Sequence, residues 1–377
     1  MYEPTGRQDP RFAFIWPAFV AASASEVAAL LAKGFVNFAM GAEDGSAPRE
    51  PKWATPNTIA LELKSVRLRD FSTVKDGVPT LLCAPFALHG AAVADLAPGH
   101  SLVVALRDAG LRRLFVTDWR SATMEMRLLG IDDYLADLNV LVDQLGGSVD
   151  LVGLCQGGWL ALLYAARFPA KVRKLVLAGA PIDIAAGQSA LSALAGASPL
   201  ALFHELVTLG DGRVLGHKVQ KFWGSETLDS REIHRLLQTP EPIGSPAFAE
   251  LEAIFRDWHA RTVDLPGTYY LEVIEKLYKR NEIATGQFIA LGEPIDLATM
   301  RAPIYLLAAR DDELVAPAQL FATERLVGTP ARAIRKASAP CGHAGLFMGR
   351  KILGEYWPRI ARWMSQPDSR SLAPAAA

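Results

Sequence analysis

Five short runs of the chain are almost continuously apolar: T-L-L-C-A at 80–84, R-L-F-V-T-D-W at 113–119, V-D-L-V-G-L at 149–154, K-L-V-L-A-G at 174–179 and P-I-Y-L-L-A-A at 303–309. Runs of that length predict buried strands. Between the first four lie longer segments with apolar residues three and four apart, at 98–110, 131–146 and 156–168; another closes the chain at 348–365. That spacing predicts helices, and the first two stop at glycine. Buried strands alternating with helices predict an α/β fold with a mostly parallel sheet covered on both faces. Residues 183–300 break the rhythm. They lack short buried strands and are rich in helix formers and aromatics, which predicts a helical insertion between two strands. An insertion there would cap a site at the carboxyl ends of the strands.

The ends differ from this body. Residues 12–24 are apolar, and the run continues through 24–40 as a stretch amphipathic at helical spacing, which Glu26 and Lys33 interrupt too often for a transmembrane segment. Glu3 and Asp9 stand where a secretory signal would carry basic residues, so no signal peptide is expected. Residues 43–60 are rich in Pro, Gly and charge and predict a linker. The expected organisation is an N-terminal helix and linker at 1–60, a first core part at 61–182, a helical cap at 183–300, a second core part at 301–366 and a disordered tail at 367–377. Half of the 377 residues are hydrophobic and the net charge is −1. Nothing in that balance predicts binding to nucleic acid or to an anionic membrane. Cys83, Cys155 and Cys341 form no disulfide framework and no zinc spacing, which suits a reducing compartment.

The chemistry concentrates at G-L-C-Q-G-G, residues 153–158, where a predicted strand meets a predicted helix. This is the cysteine form of the G-x-S-x-G nucleophile elbow. Side chains two places either side of a nucleophile on so sharp a turn would clash, hence Gly153 and Gly157. Gly158 lets the helix lie against the sheet. The amide of Gln156 is placed to stabilise an oxyanion, and the helix N-terminus favours a thiolate at Cys155. The second oxyanion donor is expected after the strand at 80–84, at the amide of Ala87 or Leu88; His89 reads there as a loop residue and His100 as helical. A thiol nucleophile needs a base and an orienting acid, which follow it in chain order in this architecture. R-D-D-E at 310–313 offers Asp311 and Asp312, with Asp312 preferred, and C-G-H-A-G at 341–345 offers His343 as general base.

Residues from about 79 to 365 resemble the catalytic domain of polyhydroxyalkanoate synthases, above all the short type that works with a second subunit. The matching pieces are S-L-V-V-A-L-R-D-A-G (101–110), V-T-D-W-R (116–120), G-I-D-D-Y (130–134), V-D-L-V-G-L-C-Q-G-G (149–158), R-N-E-I-A-T-G-Q-F-I-A-L-G-E-P-I-D-L (280–297), R-D-D-E-L-V-A-P (310–317) and G-H-A-G (342–345). The resemblance implies an α/β-hydrolase fold with a helical cap. It implies a triad of Cys155, His343 and Asp312, with Trp258 matching a cap tryptophan. The implied reaction joins (R)-3-hydroxyacyl-CoA units into polyester and releases CoA. The thioester is substrate, with no further cofactor and no metal. A homodimer, a helper subunit, the polymer granule surface and a cytoplasmic location follow from the same resemblance. The chain departs from the family at His89 and Gly90, where Asn and a basic residue are common. It departs again at Glu313, where His usually follows the acid, and after Trp258, where His259-Ala260-Arg261 replaces N-x-D. Two other readings stand beside the synthase: a depolymerase or acyl-CoA thioesterase on the same triad, and a non-catalytic granule subunit.

Overall fold

In the computed structural model, which describes residues 52–222 and 228–366, the apolar runs form the centre of an eight-stranded sheet. In chain order its strands are β1 (Thr58–Glu62), β2 (Val66–Asp70), β3 (Thr80–Cys83), β4 (Leu114–Trp119), β5 (Val149–Leu154), β6 (Val172–Ala178), β7 (Ile304–Ala309) and β8 (Ile334–Ala339). They lie side by side as β1-β2-β4-β3-β5-β6-β7-β8. The first two pairings are antiparallel. The six strands from β4 to β8 are parallel.

Why the central strands are mostly apolar is visible in their packing. Leu81, Leu151, Leu175 and Leu306 point into one core, shared with Ile131–Gln144 (α2) and Gln156–Arg167 (α3). Leu82, Val152, Val176 and Leu307 point into a second core, shared with Leu102–Asp108 (α1) and Trp357–Ser365 (α5). Side chains alternate across a strand, so two covered faces favour apolar residues at most positions.

Several boundaries move. The helix expected from residue 98 begins at Leu102, because Asp95–Ala97 and His100–Ser101 first form a small hairpin. The Ser101 hydroxyl accepts the Val104 amide at 3.0 Å and starts the helix there. His100 is therefore not helical; its Nδ1 lies 2.8 Å from the Met348 carbonyl. The expected terminal helix is three pieces, Gly345–Met348, Arg350–Glu355 and α5. Residues 12–40, 43–51 and 367–377 fall outside the described residues.

Between β6 and β7 the chain runs through short helices, the long Pro246–Ala260 (α4) and a π-helix at Val273–Lys279, with two-residue bridges between them. Entry and exit of this segment are tied together. Asn281 donates to Asp183 at 2.8 Å and accepts the Ile184 amide at 3.1 Å. Among the described residues, no single helix is long and apolar enough to cross a membrane.

One buried cation fastens α5 to the sheet. Lys174, on β6, is 3% exposed and its Nζ donates to the carbonyls of Trp363, Met364 and Gln366. A cation suits the negative end of a helix, and here it satisfies carbonyls that the helix leaves open. Lys174→Met should lower the unfolding free energy by about 2–4 kcal/mol, read from urea denaturation, by stranding those acceptors. A change under about 0.5 kcal/mol would show that water replaces the ammonium there.

Candidate active site

The elbow is strained where the sequence places the thiol. Cys155 has φ 49° and ψ −121°, a conformation that costs a non-glycine residue roughly 1–3 kcal/mol. Its neighbours hold it there. The Cys155 amide donates to the Ala178 carbonyl at the end of β6 at 2.9 Å, and the Gly158 amide donates to the Cys155 carbonyl at 2.9 Å. The three glycines are required by space. A Cβ on Gly153 would stand 2.5 Å from the Gly158 Cα, one on Gly157 would stand 2.2 Å from the Cys83 carbonyl oxygen, and one on Gly158 would stand 2.3 Å from the Ala180 Cβ. α3 can thus begin directly beneath the ends of β3 and β5.

Two loops bring the partner groups to the sulfur. Asp312 follows β7, and His343 follows β8. The His343 Nδ1 lies 2.8 Å from Asp312 Oδ2, with both side chains almost wholly buried. A carboxylate can only accept, so Nδ1 donates and Nε2 is the nitrogen left for chemistry. Asp312 Oδ1 is fixed by the amides of Leu314 at 3.0 Å and Val315 at 2.9 Å. Asp311 is exposed and does not reach the histidine. Burial pulls the His343 pKa down. The charges of Asp312 and Cys155, and hydrogen bonding to each, outweigh it and hold the pKa well above the usual histidine value. Burial pushes the thiol pKa of both Cys83 and Cys341 up to about 12.

The loop after β3 reaches the elbow from the other side. Leu88 is buried, and its carbonyl accepts the Val263 amide at 3.0 Å. His89 pairs with Thr262 as an isolated bridge. His89 is no plain loop residue. Its ring lies 4.7 Å from Trp258 and 5.1 Å from His259, and burial and His259 drive its pKa down to about 3 despite a hydrogen bond to the Arg261 carbonyl. It is therefore neutral at physiological pH. Trp258 thus packs, through His89, on the loop that carries Leu88. The Gln156 side chain is also occupied: Oε1 accepts from Trp159 at 2.6 Å and Nε2 donates to the Tyr278 hydroxyl at 2.8 Å.

Beside the elbow lies an apolar cavity of about 80 Å³, lined by Ala87, Leu88 and Gln156 from the core and by Tyr269, Tyr270 and Tyr278 from the insertion. Sequence reasoning did not single out these tyrosines. Their signal was weak, because the π-helix removes the regular spacing that would put them on one face. No group of three or more His, Cys, Asp or Glu side chains among the described residues could hold a metal ion.

Residues 90–349 match the family described as alpha/beta hydrolase fold. The chain is 28% identical to the Poly(3-hydroxyalkanoate) polymerase subunit PhaC of Synechocystis sp. over 83% of this chain and 85% of that protein. It is 25% identical to the subunit of the same name from Haloferax mediterranei, over 83% of this chain and 64% of the relative. It is also 25% identical to that of Allochromatium vinosum, over 72% and 76%.

Proposed function

The chain belongs to the alpha/beta hydrolase family and, within it, to the polyhydroxyalkanoate synthases; on that premise we propose that it polymerises (R)-3-hydroxyacyl-CoA through an acyl group carried on Cys155. The observation that carries the proposal is the burial of the triad. Cys155 is 8% exposed and His343 4%, and the Asp312 carboxylate is sealed beneath them. An acyl-enzyme kept from water waits for a hydroxyl from another acyl unit; one open to water would hydrolyse.

In this mechanism the Cys155 thiolate attacks the thioester carbonyl. The amides of Gln156 and Leu88 donate hydrogen bonds to the oxyanion that forms. The carbon–sulfur bond to CoA breaks, and imidazolium His343 gives its proton to the departing thiolate. The exchange costs little, since a thioester is broken and a thioester formed. Neutral His343 then takes the proton of a substrate hydroxyl, whose oxygen attacks the Cys155 thioester. An ester forms, the thiolate is released and the imidazolium is restored. Asp312 keeps Nδ1 protonated throughout, so that Nε2 does the transfer. The insertion at 183–300 acts as the cap that closes over this chemistry. A second copy of the chain, a helper subunit and the polymer granule surface are the partners this function calls for.

Brief mixing with (R)-3-hydroxybutyryl-CoA, acid quenching and peptide mapping test the proposal. The expected result is one hydroxybutyryl adduct, on the peptide carrying Cys155. An adduct on Cys83 or Cys341, or none in the presence of CoA release, would overturn it.

A further inference from the structure

The cavity beside the elbow contains a polar group that the chemistry above does not use. Gln156 and Tyr278 satisfy one another there, and Trp159 occupies the remaining oxygen of Gln156. Tyr270 differs. It lines the cavity and is 6% exposed, and its hydroxyl is buried with no hydrogen-bond partner among the described residues. An unpaired buried hydroxyl costs free energy that phenylalanine, with the same shape, would avoid. Burial raises the pKa of this phenol, so it remains a neutral donor.

The backbone points the same way. The helix Gly267–Glu272, which carries Tyr270, passes directly into the π-helix Val273–Lys279, and Val273, Ile274 and Tyr278 of that segment line the same cavity. π-Helical turns are rare and concentrate at functional sites. Tyr278 links the two places, since it lines the cavity with Tyr270 and its hydroxyl accepts from Gln156, the residue that follows Cys155. A volume of about 80 Å³ is several times the roughly 10–15 Å³ that one water needs by the same measure, so a short alkyl group has room there.

Resting on the acyl-enzyme proposed above, we infer that Tyr270 is a specificity residue: its hydroxyl donates a hydrogen bond to the oxygen on C3 of the Cys155-bound acyl group, whose short alkyl end fills the cavity. A site that hydrogen-bonds a substrate oxygen discriminates against the analogue lacking it, because the donor is then left unpaired. The enzyme should therefore prefer 3-hydroxybutyryl-CoA to butyryl-CoA at the acylation step, before any polymer can form.

Single-turnover CoA release by the full chain, measured with both thioesters, tests this. In Tyr270→Phe the ratio of the two acylation rates should fall about 10- to 100-fold relative to the unaltered protein. Tyr278→Phe removes a hydroxyl whose partner is the protein itself, so it should slow both thioesters together and move the ratio less than about threefold. An equal loss on both thioesters in Tyr270→Phe, or an unchanged ratio, overturns the role of Tyr270 while leaving acylation of Cys155 standing. Absence of Cys155-dependent release from either thioester in the unaltered protein overturns the functional proposal and this inference with it.

Discussion

Cys155→Ala should abolish CoA release from (R)-3-hydroxybutyryl-CoA, by at least about 10⁴-fold, while the protein stays folded. The size of the effect follows from the absence of a substitute. Cys83 and Cys341 are buried, with pKa values pushed up to about 12, so neither supplies a thiolate near neutral pH. Water, the remaining nucleophile, meets a triad in which Cys155 and His343 are more than nine-tenths buried and the Asp312 side chain is 1% exposed. The fold should tolerate the change, because the elbow is held by backbone contacts of Cys155 with Ala178 and Gly158 rather than by its sulfur. Urea unfolding and a coupled thiol assay on the same preparation separate the two effects. Residual release above about 1% would mean that the thioester is cleaved elsewhere.

Asp312→Asn should lower acylation by about 10³- to 10⁴-fold, the scale expected when a catalytic histidine loses its orienting carboxylate. An amide can donate to Nδ1, which would turn the imidazole to the wrong tautomer. The pH profile should also move. The pKa of His343 stands above its ordinary value because the charge of Asp312, aided by Cys155, outweighs burial. Removing that charge lowers it, so the imidazolium that protonates the departing CoA is lost at lower pH. The alkaline limb of kcat/KM against pH should shift downward in the variant. The same shift has a sign for stability. A folded-state pKa above the unfolded value contributes stability that is fully present below about pH 6.5 and is lost as pH rises through the folded-state pKa. The stability gap between the two proteins should narrow in that direction. An alkaline limb that does not move would show that Asp312 is not what sets the His343 pKa.

The parts of this molecule that sequence reasoning reached are those where one physical demand dominates. β3 to β7 are covered on both faces, so their apolar runs stand out. β1, β2 and β8 did not stand out. β1 is largely exposed along Thr58–Glu62, and β2 mixes Arg67 and Arg69 with Val66 and Leu68. β8 exposes Arg335 and Lys336. The elbow was legible because three glycines within six positions answer to three separate close approaches. His343 and Asp312 were legible by chain order, and the structure brings them together at 2.8 Å with Asp311 turned outward. The surroundings were not legible. His89 becomes buried only because residues 258–262, far along the chain, fold back onto it. Tyr270 and Tyr278 share a cavity through a π-helix that local propensity does not reveal. Such contacts are made by tertiary structure and leave no period in the sequence.

The product formed from (R)-3-hydroxybutyryl-CoA tests the central claim most directly. Purified protein would be given the thioester in excess, CoA release followed with a thiol reagent, and the remaining acyl material separated by size. High-mass polyester accumulating in step with Cys155-dependent CoA release is the predicted result. Free 3-hydroxybutyrate in step with that release, with no polymer, would contradict it: water would then reach the acyl group on Cys155, and the triad would belong to a hydrolase.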